Sequence, residues 1–447
     1  MPTNEKISKS DQTRQRILRA AREVFTRNSF QTAALRTVAE KAGVKHPLVV
    51  HYFKSKSGLF EAVAAQIQDE ILESHPGFFN YLQTLEPDNR GGVYLDGIIR
   101  QGLRQPDAYR MILLNAVEVV ARRKPLPGLD RMVGIHQKIL SLLSDYVIPD
   151  APADLAGMFM IVFTMAVVHF AGGRAFHQKV LGLKSDEKYE AWVGETVRQL
   201  FQPVLAALPG GRTPFLARHM SRWREEPPQA SQRPPAETEA PLRRGEITRQ
   251  RIIDAARRVF AAYPYDRATI RMIGQVGNFD FSRIHHMFPT KAALFEAVLQ
   301  ENFREFVDTI ASWQEGAAGL PPDEVFVHYL QKGLTYCFEI RETVSLLVIN
   351  IAHYENYRDV SGFPFMAKVH SNMLEMVRQS APPQVPFEKV SRWLYTIIMM
   401  GYTFAGAPSY PARMMKLKPD TAAYRQWVFE TLCFVFMPSL VNNVKGQ

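Results

Sequence analysis

The sequence predicts an all-α protein built from two tandem copies of one unit, and three observations support this prediction. Apolar residues recur at helical spacing along most of the chain, and no stretch shows the strict alternation of a β-strand. Residues 13–63 recur at residues 248–298, with about 20 of 51 aligned positions identical. A proline-rich stretch lies between the two copies. We therefore expect two helical units joined by a linker.

The first copy opens with the pattern of a three-helix head. Residues 12–26 carry an apolar stripe at i, i+3, i+4 and i+7, which predicts a helix with one buried face. A second helix is predicted over 35–42, and Gly43 ends it because glycine readily adopts the left-handed conformation there. A third is predicted over 47–53, with Pro47 at its first position, and a fourth starts near Ser57. This arrangement is typical of a helix-turn-helix.

Longer apolar helices are predicted beyond residue 90, including 155–171 and 192–205. Residues 155–172 approach the roughly 20 apolar residues that a membrane span needs. The segment contains Thr164 and His169, lacks basic and aromatic flanks, and recurs as the less apolar 390–406. We therefore predict a core helix that packs inside one unit and against the other, with no membrane partner.

The duplication extends through these longer helices. Trp192 matches Trp427 at the same offset of 235 residues as the heads, whereas His136 matches His370 with a one-residue gap. Asn115 likewise matches Asn350. For the repeated histidine and asparagine, a buried polar residue with hydrogen-bond partners is favoured over a ligand contact.

The repeat and the linker together predict five segments. Prolines at 227–228, 234–235 and 241 are incompatible with a continuing helix, although residues 215–223 are apolar enough to dock as a short one. We predict a first head at 10–62, a first body at 63–208, a linker at 209–244, a second head at 245–297 and a second body at 298–442.

Composition and charge limit the classes of function that the chain could have. The chain has 447 residues, 46% of them hydrophobic and 22% charged, as in ordinary globular proteins. Its two cysteines exclude a disulfide framework or a Cys-rich metal site, and its N-terminus lacks an apolar signal, so a cytoplasmic location is expected. The net charge of +10 is concentrated in the heads: residues 1–62 hold 12 Lys and Arg against 5 Asp and Glu, and residues 243–298 hold 10 against 5. Nucleic acid is therefore the expected partner.

The heads resemble a known DNA-binding family. Residues 33–59 read AALRTVAEKAGVKHPLVVHYFKSKSGL, which is similar to the head of the TetR/AcrR family of bacterial transcription regulators. Residues 269–291, TIRMIGQVGNFDFSRIHHMFPTK, match less well, and Asn278-Phe279 stands where the first copy has Gly43-Val44. Asparagine also tolerates the left-handed turn conformation.

The resemblance implies a ligand-responsive repressor. Members of that family are usually homodimers that place two heads in successive major grooves of a palindromic operator, and their bodies bind a small ligand. Here two protomers stand in one chain, which predicts an intramolecular pseudo-dimer that binds double-stranded DNA and a small apolar effector. Residues 158–165 and 393–400 suit an apolar ligand, although a plain core is favoured for most of them. No cofactor and no metal are expected.

The family pattern suggests which residues contact DNA. Phosphate contacts are expected from cations and hydroxyls near the helix N-termini. The family's threonine at the start of the second helix is replaced by Ala34 in the first copy and retained as Thr269 in the second. The predicted phosphate contacts are Arg36, Lys45, His51, Tyr52 and Lys56 in the first head and Arg271, Arg283, His285, His286 and Lys291 in the second. The predicted base-reading residues are His46, Pro47 and Leu48 in the first head and Phe281, Ser282 and Arg283 in the second.

Unlike heads predict unlike half-sites. Arg283 can contact guanine through two hydrogen bonds, worth about 1–3 kcal/mol of discrimination, whereas the apolar Leu48 suits thymine methyl groups. The half-sites should lie about 34 Å or more apart. Adjacent His285 and His286 point about 100° apart on a helix, so they do not chelate a metal.

Two alternatives stay open. The sequence has no G-x-S-x-G, Walker A or H-E-x-x-H motif, so an enzyme is not expected. The second alternative is a regulator whose second head is degenerate. Such a protein would act as a dimer of chains or through a protein partner.

Overall fold

The computed structural model describes residues 8–116, 126–224, 244–317, 319–380 and 386–444. Throughout these ranges the regular elements are helices, so the predicted all-α class is confirmed. The first copy contains α1 (Lys9–Phe25), α2 (Leu35–Lys41), α3 (His46–Phe53), α4 (Lys56–Gln83), α5 (Pro87–Arg104), α6 (Pro106–Ala116), α7 (Leu129–Tyr146), α8 (Ala153–Gly172), α9 (Arg174–Leu181) and α10 (Asp186–Ala207).

The second copy repeats this order helix by helix. A short helix, α11 (Pro214–Met220), lies between the copies. The second copy contains α12 (Arg244–Ala262), α13 (Ile270–Gly277), α14 (Phe281–Met287), α15 (Lys291–Ser312), α16 (Pro322–Glu339), α17 (Arg341–Tyr357), α18 (Phe363–Ser380), α19 (Phe387–Gly406), α20 (Ser409–Met414) and α21 (Ala422–Val444).

Each head folds around the apolar stripe of its first helix. In α1, Ile17, Ala21 and Phe25 are fully buried against α2 and α4. Phe25 and Phe60 meet edge to face with ring centroids 5.0 Å apart, and the same contact recurs in the second head. These apolar contacts hold the second and third helices of each head in place.

A single long helix joins each head to its body. Helix α4 starts in the first head at Lys56 and continues to Gln83, and α15 does the same in the second copy from Lys291 to Ser312. The Ser55 and Thr290 side chains cap these helices by accepting hydrogen bonds from the amides of Gly58 and Ala293 at 3.0 Å. The boundary predicted between head and body therefore falls inside a continuous helix in both copies.

Helix α8 is the most apolar element and lies in the core. It is long and apolar enough to cross a membrane, but 94% of its most apolar window is buried within the protein. Its partners are α5, α6 and α7 of its own copy and α19 and α21 of the other. The prediction of a core helix shared between the units is confirmed.

The two copies pack through a buried face formed by α8 and α10 on one side and α19 and α21 on the other. His169 Nε2 hydrogen-bonds with Thr403 Oγ1, and these two residues occupy equivalent positions of the two copies. His177 Nδ1 lies 2.6 Å from the Tyr395 hydroxyl. Burial lowers the pKa of His169 to about 4, so this contact is between neutral groups.

The segment after the first body docks on the second. Helix α11 packs against α21, and His219 Nε2 lies 3.0 Å from Asp323 Oδ2 at the start of α16. Glu324 is paired with Arg218 and Arg222, so these contacts fix the linker helix against α16. The short docked helix predicted within 215–223 is confirmed, and the prolines at 227–228, 234–235 and 241 lie outside the described residues.

Gly406 marks the tightest crossing in the second body. A Cβ atom at this position would lie 2.8 Å from the backbone nitrogen of Ser345 in α17, too close for any side chain. We expect Gly406→Ala to lower the free energy of unfolding by about 1–3 kcal/mol, because the helices must separate. Gly134→Ala on the exposed face of α7, where no atom lies within 4 Å, should instead raise it by up to about 1 kcal/mol. Equal melting temperatures for the two variants would contradict this.

Candidate nucleic-acid interface

Each head presents the first turn of its third helix to solvent. Both turns that precede this helix use a left-handed residue, Gly43 with φ of 62° and Asn278 with φ of 57°. The amides of Val44 and Phe279 then donate to carbonyls of the preceding helix at 3.0 and 2.9 Å. The prediction that asparagine replaces glycine in the second turn is confirmed.

The predicted base-reading residues lie together and exposed at these turns. Phe281 has 60% of its surface exposed and stacks on His285, with ring centroids 5.6 Å apart. Leu48 is exposed at the matching turn of the first head. The exposed side chains are His46, Pro47 and Leu48 on α3 and Phe281, Ser282 and Arg283 on α14.

Most predicted phosphate contacts are also accessible. Exposure is the first requirement for such a contact, and the role itself stays a prediction. The exposed members are Arg36, Lys45 and His51 in the first head and Arg271, Arg283, His285 and His286 in the second.

Lys56 and Lys291 have structural contacts that the sequence did not predict. Lys56 Nζ donates to the Gln31 carbonyl at 2.9 Å. Lys291 Nζ donates to the carbonyls of Tyr265 and Ala268 at 2.7 and 3.1 Å, and it lies 4.2 Å from the Tyr265 ring centroid. Burial lowers the pKa of Lys291. Each ammonium group thus closes the turn between the first two helices of its head.

Tyr52 and Thr269 also have local partners. The Tyr52 hydroxyl lies 3.1 Å from Ser10 Oγ, which links the end of α3 to the start of α1. Thr269 caps α13 by accepting from the Met272 amide at 3.2 Å, whereas α2 has Ala34 at this position and no side-chain cap. The threonine therefore stabilises the second head in a way that the first lacks.

Sequence reasoning missed a pair of cations beside the third helices. The Arg14 guanidinium lies 5.4 Å from the Phe53 ring centroid, and Arg249 lies 5.2 Å from that of Phe288. Both arginines are exposed. They belong to the repeated Thr-Arg-Gln-Arg motif, which was the available signal. These side chains extend the basic surface of each head onto its first helix.

The heads contact each other and the opposite copy. Arg267 of the second head hydrogen-bonds to the Thr32 carbonyl of the first. The Asn356 amide of α17 donates to the Arg27 carbonyl of the first head at 2.9 Å. These bonds restrict the distance between the two third helices.

Asn115 ties the first head to its own body. Its side-chain carbonyl accepts from the Phe30 amide at 2.8 Å. The equivalent Asn350 is fully buried, but its Oδ1 has no hydrogen-bond partner among the described residues. The second head is attached instead by ring contacts of Tyr265 with Tyr357 and Phe363, at 5.5 and 5.7 Å.

The bodies contain cavities of very different size. The second encloses about 720 Å³ between α15, α16, α17, α18 and α19, and the equivalent space in the first is about 100 Å³. Burial of His136 and His370 was predicted and is confirmed, but each also lines the cavity of its own body. From the segment 393–400, Trp393, Leu394, Ile397 and Ile398 line the larger cavity.

Comparison with known proteins agrees with this geometry. The family described as "Bacterial regulatory proteins, tetR family" matches residues 17–63 and 252–298. Each head therefore resembles the heads of that family. The two matches span α1 to the start of α4 and α12 to the start of α15, so the predicted tandem arrangement is confirmed.

Proteins similar to this chain are transcriptional regulators by name. UidR of Escherichia coli, an HTH-type transcriptional regulator, is 34% identical over 126 residues, which cover 25% of this chain and 64% of UidR. The HTH-type transcriptional repressor Rv1474c of Mycobacterium tuberculosis is 41% identical over 75 residues, covering 17% and 39%. The chain thus spans less than two thirds of these relatives. Both relatives are named as transcriptional regulators.

The contacts of Lys291 predict a stability effect. Lys291→Met leaves two turn carbonyls without their donor, which should destabilise the second head by about 1–3 kcal/mol. Hydrogen exchange should rise in residues 263–270, and the melting temperature should fall. Arg283→Met on the exposed face of α14 is the matched control, expected within about 0.5 kcal/mol of the parent. An unchanged turn in Lys291→Met would contradict the structural role.

Proposed function

We propose that the chain is a ligand-responsive transcriptional repressor that acts in the cytoplasm. Both heads bind double-stranded DNA, and the two copies act as an intramolecular pseudo-dimer. The observation that carries this proposal is the presence in one chain of two heads that match the tetR family model, each with the first turn of its third helix exposed, on two bodies that pack together. Linking the heads makes the second contact intramolecular, at an effective concentration near millimolar.

The contacts between the copies support a fixed spacing of the heads. The bond from Arg267 to Thr32 and the buried face around His169 limit how far the heads separate. An operator then needs two half-sites at one spacing. A ligand that favours another arrangement would release the DNA by shifting the population of the two states.

One observation favours a second candidate, a regulator that reads DNA mainly through its first head. Asp280 stands immediately before α14, where an exposed carboxylate repels phosphate, and the first head has Lys45 there. The second head also has Pro289 in place of Lys54. In this alternative, two chains meet on a palindrome through their first heads.

Selection of random duplex DNA by the purified chain distinguishes the two candidates. We expect two unlike half-sites at a fixed spacing, bound by one chain. Arg283→Ala should weaken binding by about tenfold or more and relax the preference for guanine in one half-site only. Lys45→Ala should weaken binding to all sequences and reduce the dependence of log K on log salt by about 0.9. Fluorescence anisotropy at several salt concentrations measures both.

A perfect palindrome bound by two chains, with affinity unaffected by Arg283→Ala, would support the one-headed candidate instead. Absence of any enriched sequence would refute sequence-specific regulation. Glu246→Gln, at an exposed position in the first turn of α12, serves as a control for general changes in charge.

A further inference from the structure

The two cavities, which differ in volume, are lined by different residues at equivalent positions of the two copies. At several positions that line both cavities the side chain is larger in the first copy than in the second, whereas at others, such as Ala64 and Leu299, it is smaller. The helix α8 aligns with α19 at an offset of 234, since Pro152 and Pro386 precede them and Gly172 and Gly406 end them. The reductions in side-chain size include those from Ile98 to Gly333, Tyr109 to Val344, Phe163 to Ile397 and Val167 to Gly401.

In the first body these side chains fill the space. Tyr109 packs beside Gly102, where an added Cβ would lie 3.4 Å from its ring and 2.8 Å from Val167. Phe163 contacts Phe201 and Tyr94, with ring centroids 5.2 and 6.0 Å apart. The first body is therefore filled by its own aromatic side chains and leaves little room for a ligand.

In the second body the smaller residues leave open space. A Cβ added at Gly401 meets no atom within 4 Å, and one at Gly333 lies 3.8 Å from Trp313, an ordinary contact. Glycine inside a helix is destabilising relative to alanine, because its backbone loses more conformational freedom on folding. Neither backbone position requires glycine for packing, so the two glycines are best explained by the volume that they leave free.

Buried polar atoms of Asn302 and His370 line this volume without hydrogen-bond partners among the described residues. Asn302 is 6% exposed, and neither its amide nitrogen nor its oxygen has a hydrogen-bond partner among the described residues. His370 is 3% exposed, and its Nδ1 bonds to the Met366 carbonyl at 2.8 Å. Since a carbonyl only accepts, Nδ1 carries the proton and the unpartnered Nε2 is an acceptor. Unpaired buried polar groups are costly, and a ligand would satisfy them.

The described residues that line the second cavity are uncharged. Among the described residues that line the cavity, none is Lys, Arg, Asp or Glu. Most are aliphatic or aromatic, including Phe306, Trp313 and Trp393. Transfer of an ionised group into such surroundings is strongly unfavourable. The fitting ligand is thus neutral and mainly apolar, with a donor for His370 and an amide-compatible group for Asn302.

We propose that the two copies differ in ligand binding. The second body binds one neutral, largely apolar ligand per chain, and the first body binds none. The proposal rests on the proposed function for its regulatory meaning, since α15 begins in the second head and carries Asn302 and Phe306 into the cavity wall. A bound ligand therefore acts first on the second head. The first head stays tied to its body through Asn115.

The test uses the neutral fluorophore N-phenyl-1-naphthylamine, which has two apolar ring systems and one N–H donor. Fluorescence titration of the full chain should give one probe per chain. The anionic relative 8-anilinonaphthalene-1-sulfonate should bind at least about tenfold more weakly, because its sulfonate would be buried unpaired. Two probes per chain, or equal binding of the sulfonate, would overturn the proposal.

Substitutions that copy the first body locate the probe. Gly333→Ile with Gly401→Val should weaken binding by about tenfold or more, and His370→Leu by about five- to tenfold through loss of one hydrogen bond. Gly134→Val on the exposed face of α7 is the control and should leave the titration unchanged. If the double variant does not fold, judged by its melting curve, Asn302→Ile, which copies Ile67, replaces it.

These measurements need no DNA, so they fail or succeed independently of the regulator proposal. Undiminished probe binding in all of these cavity variants would overturn the assignment to the second body. Loss of binding in the cavity variants, together with an unchanged control, is the expected result. A chain that binds the probe but no DNA would refute the proposed function alone.

Discussion

The buried face between α8 and α10 of the first copy and α19 and α21 of the second is the constraint on which the rest of the molecule depends. Each body contributes two helices, and His169 meets Thr403 from the equivalent position of the other copy. Burial lowers the pKa of His169 and His177, which keeps both imidazoles neutral and removes any need for a counter-ion. Without this face, α8 would expose a long apolar surface to water.

The same face lets the two copies diverge. In a homodimer, both heads and both bodies have the same sequence. In a fused pair, the sequence of each copy can change separately. The turn lysines Lys56 and Lys291 and the buried asparagines Asn115 and Asn350 are retained in both copies. Their contacts differ, since Asn115 holds the Phe30 amide while Asn350 Oδ1 has no partner among the described residues. Identity of residue type thus does not imply identity of contact.

The internal repeat predicted the two-copy organisation of the fold. The turns in the heads were predictable because local residues such as Gly43 and Asn278 determine them. The predicted DNA contacts of Leu48 and Arg283 came from the family resemblance, and both side chains are exposed. The carbonyl contacts of Lys291 were not predictable, since their partners lie 23 and 26 residues away in a turn. The larger cavity was missed because it depends on which side chains of several packed helices face one another, which aligned pairs such as Val167 and Gly401 do not show.

The fixed order of the two heads along one chain has a further consequence. A symmetric dimer on a palindrome has no front and no back, so inverting the site changes nothing. Here α3 and α14 present different side chains, His46 and Leu48 against Phe281 and Arg283. On a site with unlike halves, the protein binds in one defined orientation. Reversing that site relative to a promoter would turn the half with the cavity towards, or away from, the approaching polymerase.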